Sequence, residues 1–181
     1  MAAAVTEPEL SRPFDIHGLP PAGRDYVVTA TPDECARVAR RLALRDLRSL
    51  AARVQLTPVA GGGVRISGAF AADLVQDCVV TLAAVPSHVK ADIGVTLVRE
   101  DIGADSEIEV GLDGDDVEAL RGDVVDLGEV VVEQLALAID PYPRAPGAVF
   151  SPVEPGGAGR AGPSESPFAV LAKLKSANKS K

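Results

Sequence analysis

Two glutamates one helical turn apart, Glu129 and Glu133, are the best candidates in this sequence for acid/base or metal chemistry. They lie in "DLGEVVVEQLALAIDPYPRAPG", where carboxylates interrupt an apolar run that ends at prolines. Two carboxylates on one helix face can bind a metal ion or share a proton. Helical carboxylate metal sites usually include a histidine at helical spacing, and this segment has none. The pair therefore allows two interpretations. One is a metal-dependent or acid/base hydrolytic enzyme, and the other is an exposed helix face with no catalytic role.

The same segment has the features of a capped amphipathic helix. Asp126 followed by Glu129 is typical of a capping box, in which both side chains accept hydrogen bonds from backbone N–H groups of the first turn. The helix should end before Pro141, because proline has no backbone N–H to donate. The predicted core-facing stripe comprises Leu127, Val130, Val131, Leu135 and Ala138.

The sequence contains no other pattern typical of an active site or metal centre. His17 and His88 are the only histidines, and neither lies beside a nucleophile motif. The two cysteines, Cys35 and Cys78, lack the paired spacing of zinc ligands and are interpreted as buried free thiols. The acidic run "DGDD" lacks the spaced ligands of a calcium loop, so calcium stays a remote option. We therefore expect no cofactor, no metal and no small-molecule substrate.

Length and composition further narrow the function classes. A chain of 181 residues suffices for one ordinary domain with tails. With no Trp, two Tyr and four Phe, it offers few platforms for stacking unpaired bases. No apolar run approaches the roughly 18–20 residues of a membrane-spanning helix, and the start "MAAAVTEPELSRPF" does not resemble a signal peptide. These features predict a soluble cytoplasmic protein with no membrane partner.

The net charge of −8 is unevenly distributed along the chain. Between Arg37 and Arg65 there are seven arginines and one acid, whereas Glu100 to Asp140 holds fourteen acids and one arginine. The C-terminal segment is basic again. An acidic region suits a basic protein partner, and basic segments suit phosphates.

Six basic residues are candidates for nucleic-acid binding. If the arginines among them continue one helical path, they project to one side and can contact successive phosphates. The alternative is that they face solvent or pair with acids, as arginines on exposed helix faces usually do. The candidates are Arg37, Arg41, Arg45, Arg48, Lys173 and Lys175.

The first helix is predicted from its capping residues. In "TPDECARVARRLAL", Thr31 is a preferred N-cap and Pro32 suits the first helical position. The apolar stripe that follows is Cys35, Val38, Ala39 and Leu42. Because later leucines fall off this stripe, the helix should end near Leu42 to Arg45.

Four consecutive strands are predicted in the middle of the chain: "RVQLTPVA", "VRISGAFAADL", "CVVTLAAV" and "HVKADIGVTLV". Their short connections, including the turn at "GGG", require antiparallel pairing, and strands this long tend to curl. A further short strand is predicted at Glu107–Val110.

These elements predict an α+β fold, with an antiparallel, barrel-like β-sheet of long meander strands, two flanking helices and a flexible C-terminal tail carrying a short helix. The predicted organisation is a single α+β domain at 1–143, a Pro/Gly-rich linker at 144–166 and a basic tail with a short helix at 167–181. In that tail Phe168, Leu171 and Leu174 could pack on a partner or on the protein's own domain.

Three stretches together resemble the YceD family, bacterial and plastid proteins associated with accumulation of large-subunit ribosomal RNA. They are "VDLGEVVVEQLALAIDPYPRAPGA", "VQDCVVTLAAV" and "SPFAVLAKLK". Many members carry a C-x-R-C-L motif, of which this chain keeps Cys78 but not the second cysteine. The residues that match the family signature are Asp126, Leu127, Gly128, Glu129, Glu133, Gln134, Pro141, Pro167 and Phe168.

The resemblance implies a non-enzymatic ribosome-biogenesis factor with no catalytic residues to carry over. Such a factor would support the synthesis, processing or stability of large-subunit (23S) rRNA, and the signature residues would be structural or partner-binding. The implied partners are large-subunit rRNA or its precursor, and a basic ribosomal protein for the acidic region.

Overall fold

The computed structural model describes residues 8–99, 116–120 and 122–150. One compact unit spans Met1–Ala148 and a second spans Val149–Lys181. The described helices are α1 (Pro32–Arg41) and α2 (Leu127–Ala138). The described strands are β1 (Pro13–Asp15), β2 (Arg24–Thr29), β3 (Asp46–Val59), β4 (Gly63–Asp77), β5 (Ala84–Arg99), β6 (Asp116–Leu120) and β7 (Val124–Asp126). The predicted tail helix, most of the linker and the strand at 107–110 lie outside the described residues.

The main sheet is open and has the strand order β2-β3-β4-β5-β6. Strands β3, β4 and β5 pair antiparallel, as predicted. Strand β2 also pairs antiparallel with β3, whereas β6 pairs parallel to β5. The α+β class is confirmed, but the barrel-like closure is not, because β2 and β6 lie at opposite edges and do not pair. A barrel requires its first and last strands to meet. A separate two-stranded sheet joins β1 to β7.

The meander contains three long strands instead of four. The predicted strand "CVVTLAAV" is mostly a turn, because Asp77 pairs directly with Ala84 and leaves six residues to connect β4 and β5. A hydrogen bond from the Cys78 N–H to the Ala83 carbonyl, 2.8 Å long, closes this turn. At the other end, β3 begins at Asp46, seven residues before the predicted start.

Helix α1 forms as its capping residues predict. The Thr31 hydroxyl accepts a hydrogen bond from the Glu34 N–H at 3.3 Å, and the Glu34 carboxylate accepts one from the Thr31 N–H at 2.8 Å. The predicted apolar stripe is confirmed, with Cys35 and Val38 buried. The helix ends at Arg41, just before the predicted end.

Both helices contribute to one apolar core on a single face of the main sheet. Every second side chain of β4 and β5 points into the sheet side of that core. Among them are Ile66, Phe70 and Val95, each at most 3% exposed. Helix α2 adds buried residues such as Val131 and Leu135. Burial of this kind stabilises a fold by roughly 1.5–3 kcal/mol for each large aliphatic side chain. The opposite sheet face carries mainly polar and small residues, with Val27 as an exposed apolar exception.

Candidate functional site

The signature residue Asp126 caps α2 and also anchors the N-terminal segment. Its Oδ1 accepts hydrogen bonds from the backbone N–H groups of Gly128, at 2.9 Å, and Arg12, at 2.7 Å. Its Oδ2 accepts a hydrogen bond from the Ser11 hydroxyl at 2.5 Å. One half-buried carboxylate therefore satisfies donors from two segments that lie far apart in sequence.

Gly128 lets the N-terminal segment approach α2 closely. A Cβ atom at this position would lie 2.4 Å from the carbonyl oxygen of Leu10, well inside van der Waals contact. Leu10 itself is fully buried, and the Leu127 N–H donates to the Arg12 carbonyl at 3.0 Å. The Asp-Leu-Gly part of the signature therefore has a structural role at the helix start.

Glu129 binds Arg41, which corrects the predicted capping box. Its carboxylate accepts hydrogen bonds on both oxygens from the Arg41 guanidinium, one at 2.8 Å, and does not return to the Asp126 N–H. The same guanidinium binds Glu9 at 3.1 Å. These contacts, the one to Glu129 above all, raise the pKa of Arg41. The N-cap half of the box is confirmed, and the reciprocal half is wrong because a cation lies within reach.

Glu133 lies one turn beyond Glu129 on an exposed face. Partial burial raises the pKa of its carboxyl, as do the nearby negative charges of Glu118 and Glu129. Within the parts of the chain that the structure describes, no group of three or more His, Cys, Asp or Glu side chains is placed to hold a metal ion. Of the other signature positions, Gln134 is half-buried and Pro141 is exposed.

Pro167, Phe168, Lys173 and Lys175 lie outside the described residues, so their predicted roles stay predictions. Residues 100–115, which hold half of the acids between Glu100 and Asp140, also lie outside the described residues.

The four candidate arginines do not follow one helical path. Arg37 and Arg41 lie on α1, but Ala43 adopts a positive φ of 52° just after the helix, which turns the chain. Arg45 therefore lies in a turn, and Arg48 lies on β3 beside an irregularity in the strand register.

Each of these arginines contacts an oxygen of the protein. Arg37 donates to the Glu9 carbonyl at 3.0 Å, and Arg45 pairs with Asp77 at 2.9 Å. Arg48 lies 3.5 Å from Asp46. Arg41 binds two glutamates, so three of the four arginines pair with acids and Arg37 contacts a backbone carbonyl.

A polar chain crosses three strands on the open face of the sheet. Asp73 accepts hydrogen bonds from the Ser49 hydroxyl, at 2.9 Å, and from the His88 ring at 2.6 Å. In a nucleophile–base pair, the serine hydroxyl would contact the histidine ring directly. Here the Asp73 carboxylate lies between the two side chains, so they do not form such a pair. No sequence pattern predicts this hydrogen-bonded group, because only the strand register brings the three residues together.

The two cysteines are buried, as predicted. Burial raises the pKa of the Cys35 thiol. A hydrogen bond from the Ala145 backbone, followed by the Thr81 side chain, lowers the pKa of Cys78 to about 7. Cys78 belongs to the turn between β4 and β5 and not to a strand, so its burial comes from packing against the segment that follows α2. Across residues 8–99, 116–120 and 122–150, no helix has the length and apolarity needed to span a membrane.

Comparison with known proteins gives one match. A family model described as "Large ribosomal RNA subunit accumulation protein YceD" matches residues 66–175, more than half of the chain. The matched region includes most of β4 and the whole of β5 and α2. No curated protein and no solved structure matches the chain.

Proposed function

The chain belongs to the YceD family, and we propose that it is a non-enzymatic ribosome-biogenesis factor that supports large-subunit rRNA by binding a basic ribosomal protein. The family match carries the proposal, because the family's description names large-subunit rRNA accumulation. The supported step is the synthesis, processing or stability of that RNA. The manner of binding is inferred from which charged side chains, among the described residues, form salt bridges and which do not.

The contacts of the arginines favour a protein partner over direct RNA contact. Arg41 donates to two carboxylates and Arg45 to one. To bind phosphate, these guanidinium groups would have to exchange an existing anion for another, which reduces the gain in free energy. Arg41 and Arg45 are therefore poor phosphate-binding groups while these contacts persist.

The carboxylates near α2 favour a cationic partner. Glu118 on β6 and Glu133 on α2 are exposed, and the negative charge of Glu118 contributes to the raised pKa of Glu133. Among the residues that the structure describes, neither forms a salt bridge. The Arg41 guanidinium, which binds Glu129, offsets only part of the effect of these negative charges on Glu133. The remaining negative charge attracts a further cation, and ribosomal proteins are rich in Lys and Arg. The Glu118–Glu133 pair is therefore the proposed contact for a basic ribosomal protein.

The hydrolytic alternative is less well supported. Glu129 would have to release Arg41 before its carboxylate could bind a metal ion or accept a proton from water. The substitution Glu133→Gln separates the two functions, since it should abolish a hydrolytic activity but weaken protein binding only partly.

The proposal is tested by binding experiments with the full chain at several salt concentrations. The ligands are a mixture of large-subunit ribosomal proteins and, separately, fragments of large-subunit rRNA. The double variant Glu118→Gln, Glu133→Gln should weaken protein binding by roughly 3–10-fold at low salt, and less at physiological salt. The matched control is Asp25→Asn, Asp33→Asn, which removes the same charge from two exposed carboxylates elsewhere.

Two results would contradict this mode of action. The first is an equal loss of binding in the Glu118→Gln, Glu133→Gln variant and in its control. This result would show that binding depends on net charge and not on the Glu118–Glu133 pair. Saturable rRNA binding whose salt dependence falls when Arg37 and Arg45 become alanine would instead assign the function to direct RNA contact.

A further inference from the structure

Strand β5 has a long edge that no described strand covers. On one side, β4 pairs with it from Ala84 to Leu97. On the other side, β6 pairs only with Val95–Arg99. Within the described ranges, residues 84–94 therefore present one side of their backbone without a strand partner. An exposed strand edge is a template for pairing with another strand.

The register shows which backbone groups this edge presents. The bond from the Cys78 N–H to the Ala83 carbonyl continues the β4–β5 ladder, in which directions alternate from residue to residue. Even-numbered residues of β5 therefore direct their N–H and C=O groups away from β4. Pro86 fits this assignment, because a proline has no N–H and is accepted where a strand faces an edge. His88, Lys90 and Asp92 supply both donors and acceptors to the free edge.

The charges along this edge are complementary to a second copy of the same edge. Lys90 and Asp92 flank Ala91 and point to the same, open face of the sheet. In an antiparallel pair with its two-fold axis at Ala91, Lys90 of each copy lies directly opposite Asp92 of the other. Opposite charges at such positions stabilise strand pairing, and the two-fold symmetry makes the contact twice.

The same register uses only the length of β5 that no described strand covers. With the axis at Ala91, residues 88–94 of one copy pair with residues 88–94 of the other, and the part covered by β6 begins at Val95. Moving the axis to Lys90 would place two lysines opposite each other, which is unfavourable. On the core-facing side, half-buried Val89 would lie beside Ile93 of the second copy and extend the apolar layer.

We propose that this chain forms a two-fold dimer by antiparallel pairing of residues 88–94 of β5, with Lys90 contacting Asp92 of the second copy. The dimer joins two five-stranded sheets into one continuous sheet. The inference is independent of the proposed function, since it uses neither the arginines of α1 nor the Glu118–Glu133 pair.

Charge reversal tests the register, with association measured by sedimentation equilibrium of the full chain. Lys90→Asp and Asp92→Lys each replace two attractive pairs with two repulsive ones and should weaken dimerisation about 10-fold or more. An equimolar mixture of the two variants should recover as a heterodimer, because both cross-strand pairs are then attractive. The matched control is Arg40→Asp, which makes the same charge change on exposed α1.

Disulfide trapping tests the same register by distance. Ala91→Cys places two thiols opposite each other at the two-fold axis, within reach of a disulfide, whereas Ser87→Cys on the same face places them several residues apart. Oxidation should give a covalent dimer for Ala91→Cys only, since the native cysteines are buried.

Three outcomes would overturn the proposal. The first is an unaltered chain that stays monomeric at about 0.1 mM, a concentration at which even a weak specific dimer forms. The second is dimerisation that neither charge reversal affects. The third is equal trapping, or no trapping, of the two cysteine variants.

Discussion

Gly128→Ala should destabilise the fold, because the added methyl group would collide with the backbone of Leu10. The Cβ atom would lie 2.4 Å from the Leu10 carbonyl oxygen and 2.8 Å from its carbonyl carbon, so the segment must move by about 1 Å to reach ordinary contact. Leu10 is held by burial, and the adjacent Arg12 N–H is bound to Asp126, so this movement is resisted. Overpacking of this kind costs about 1–3 kcal/mol.

The net effect is expected to be a loss of about 2 kcal/mol in the free energy of unfolding. Alanine is a better helix former than glycine, but that gain is small in the first turn of a helix. In urea denaturation, the midpoint should fall by about 1 M. The control is Gly18→Ala, because a Cβ there has no heavy atom within 4 Å. Equal midpoints for the two variants would refute the close approach of Leu10 to α2.

Two further predictions concern ion pairs. Arg41→Ala should lower the free energy of unfolding by about 1–2 kcal/mol, because it removes the guanidinium that binds both oxygens of the Glu129 carboxylate. The control Arg40→Ala, at an exposed position on the same helix, should have little effect in the same urea titration. Hydrogen bonds from the Arg12 guanidinium and, second, from the Thr31 N–H lower the pKa of Glu34 to about 2. The stabilisation from these contacts is therefore complete above the usual pKa of 4.5 and is lost as the pH falls toward 2. Glu34→Gln should lower the free energy of unfolding by about 2 kcal/mol at pH 7, and should make it depend less on pH below 4.5. A variant whose stability falls as steeply with acid as that of the unaltered chain would contradict this account.

Signals that act within a few residues predicted the local structure well. Thr31 and Pro32 are the residues preferred at the N-cap and the first helical position, so the start of α1 can be predicted from these two neighbours alone. The alternation of apolar residues in β4 and β5 likewise gave the buried face of the sheet, because side chains in a strand point to alternate sides.

Contacts between distant residues could not be predicted in the same way. Glu129 was expected to close a capping box, but its carboxylate binds Arg41, 88 residues earlier in the chain. The apolar residues at 78–83 predict a strand, but the structure has a turn there. Val79 and Leu82 are exposed in this turn, so their apolar character does not indicate burial. The parallel pairing of β6 depends on a connection that has no local signal.

The anchoring of residues 10–12 on the start of α2 also constrains how the chain can fold during synthesis. The Ser11 hydroxyl donates to Asp126 across a sequence separation of 115 residues. At typical translation rates of about 5–20 residues per second, the first partner waits roughly 6–23 s for the second to be made. Contacts with such long separations slow folding, because a large loop must close before they form. The domain therefore cannot complete its structure until α2 has left the ribosome, and its N-terminal segment has to remain unpaired until then.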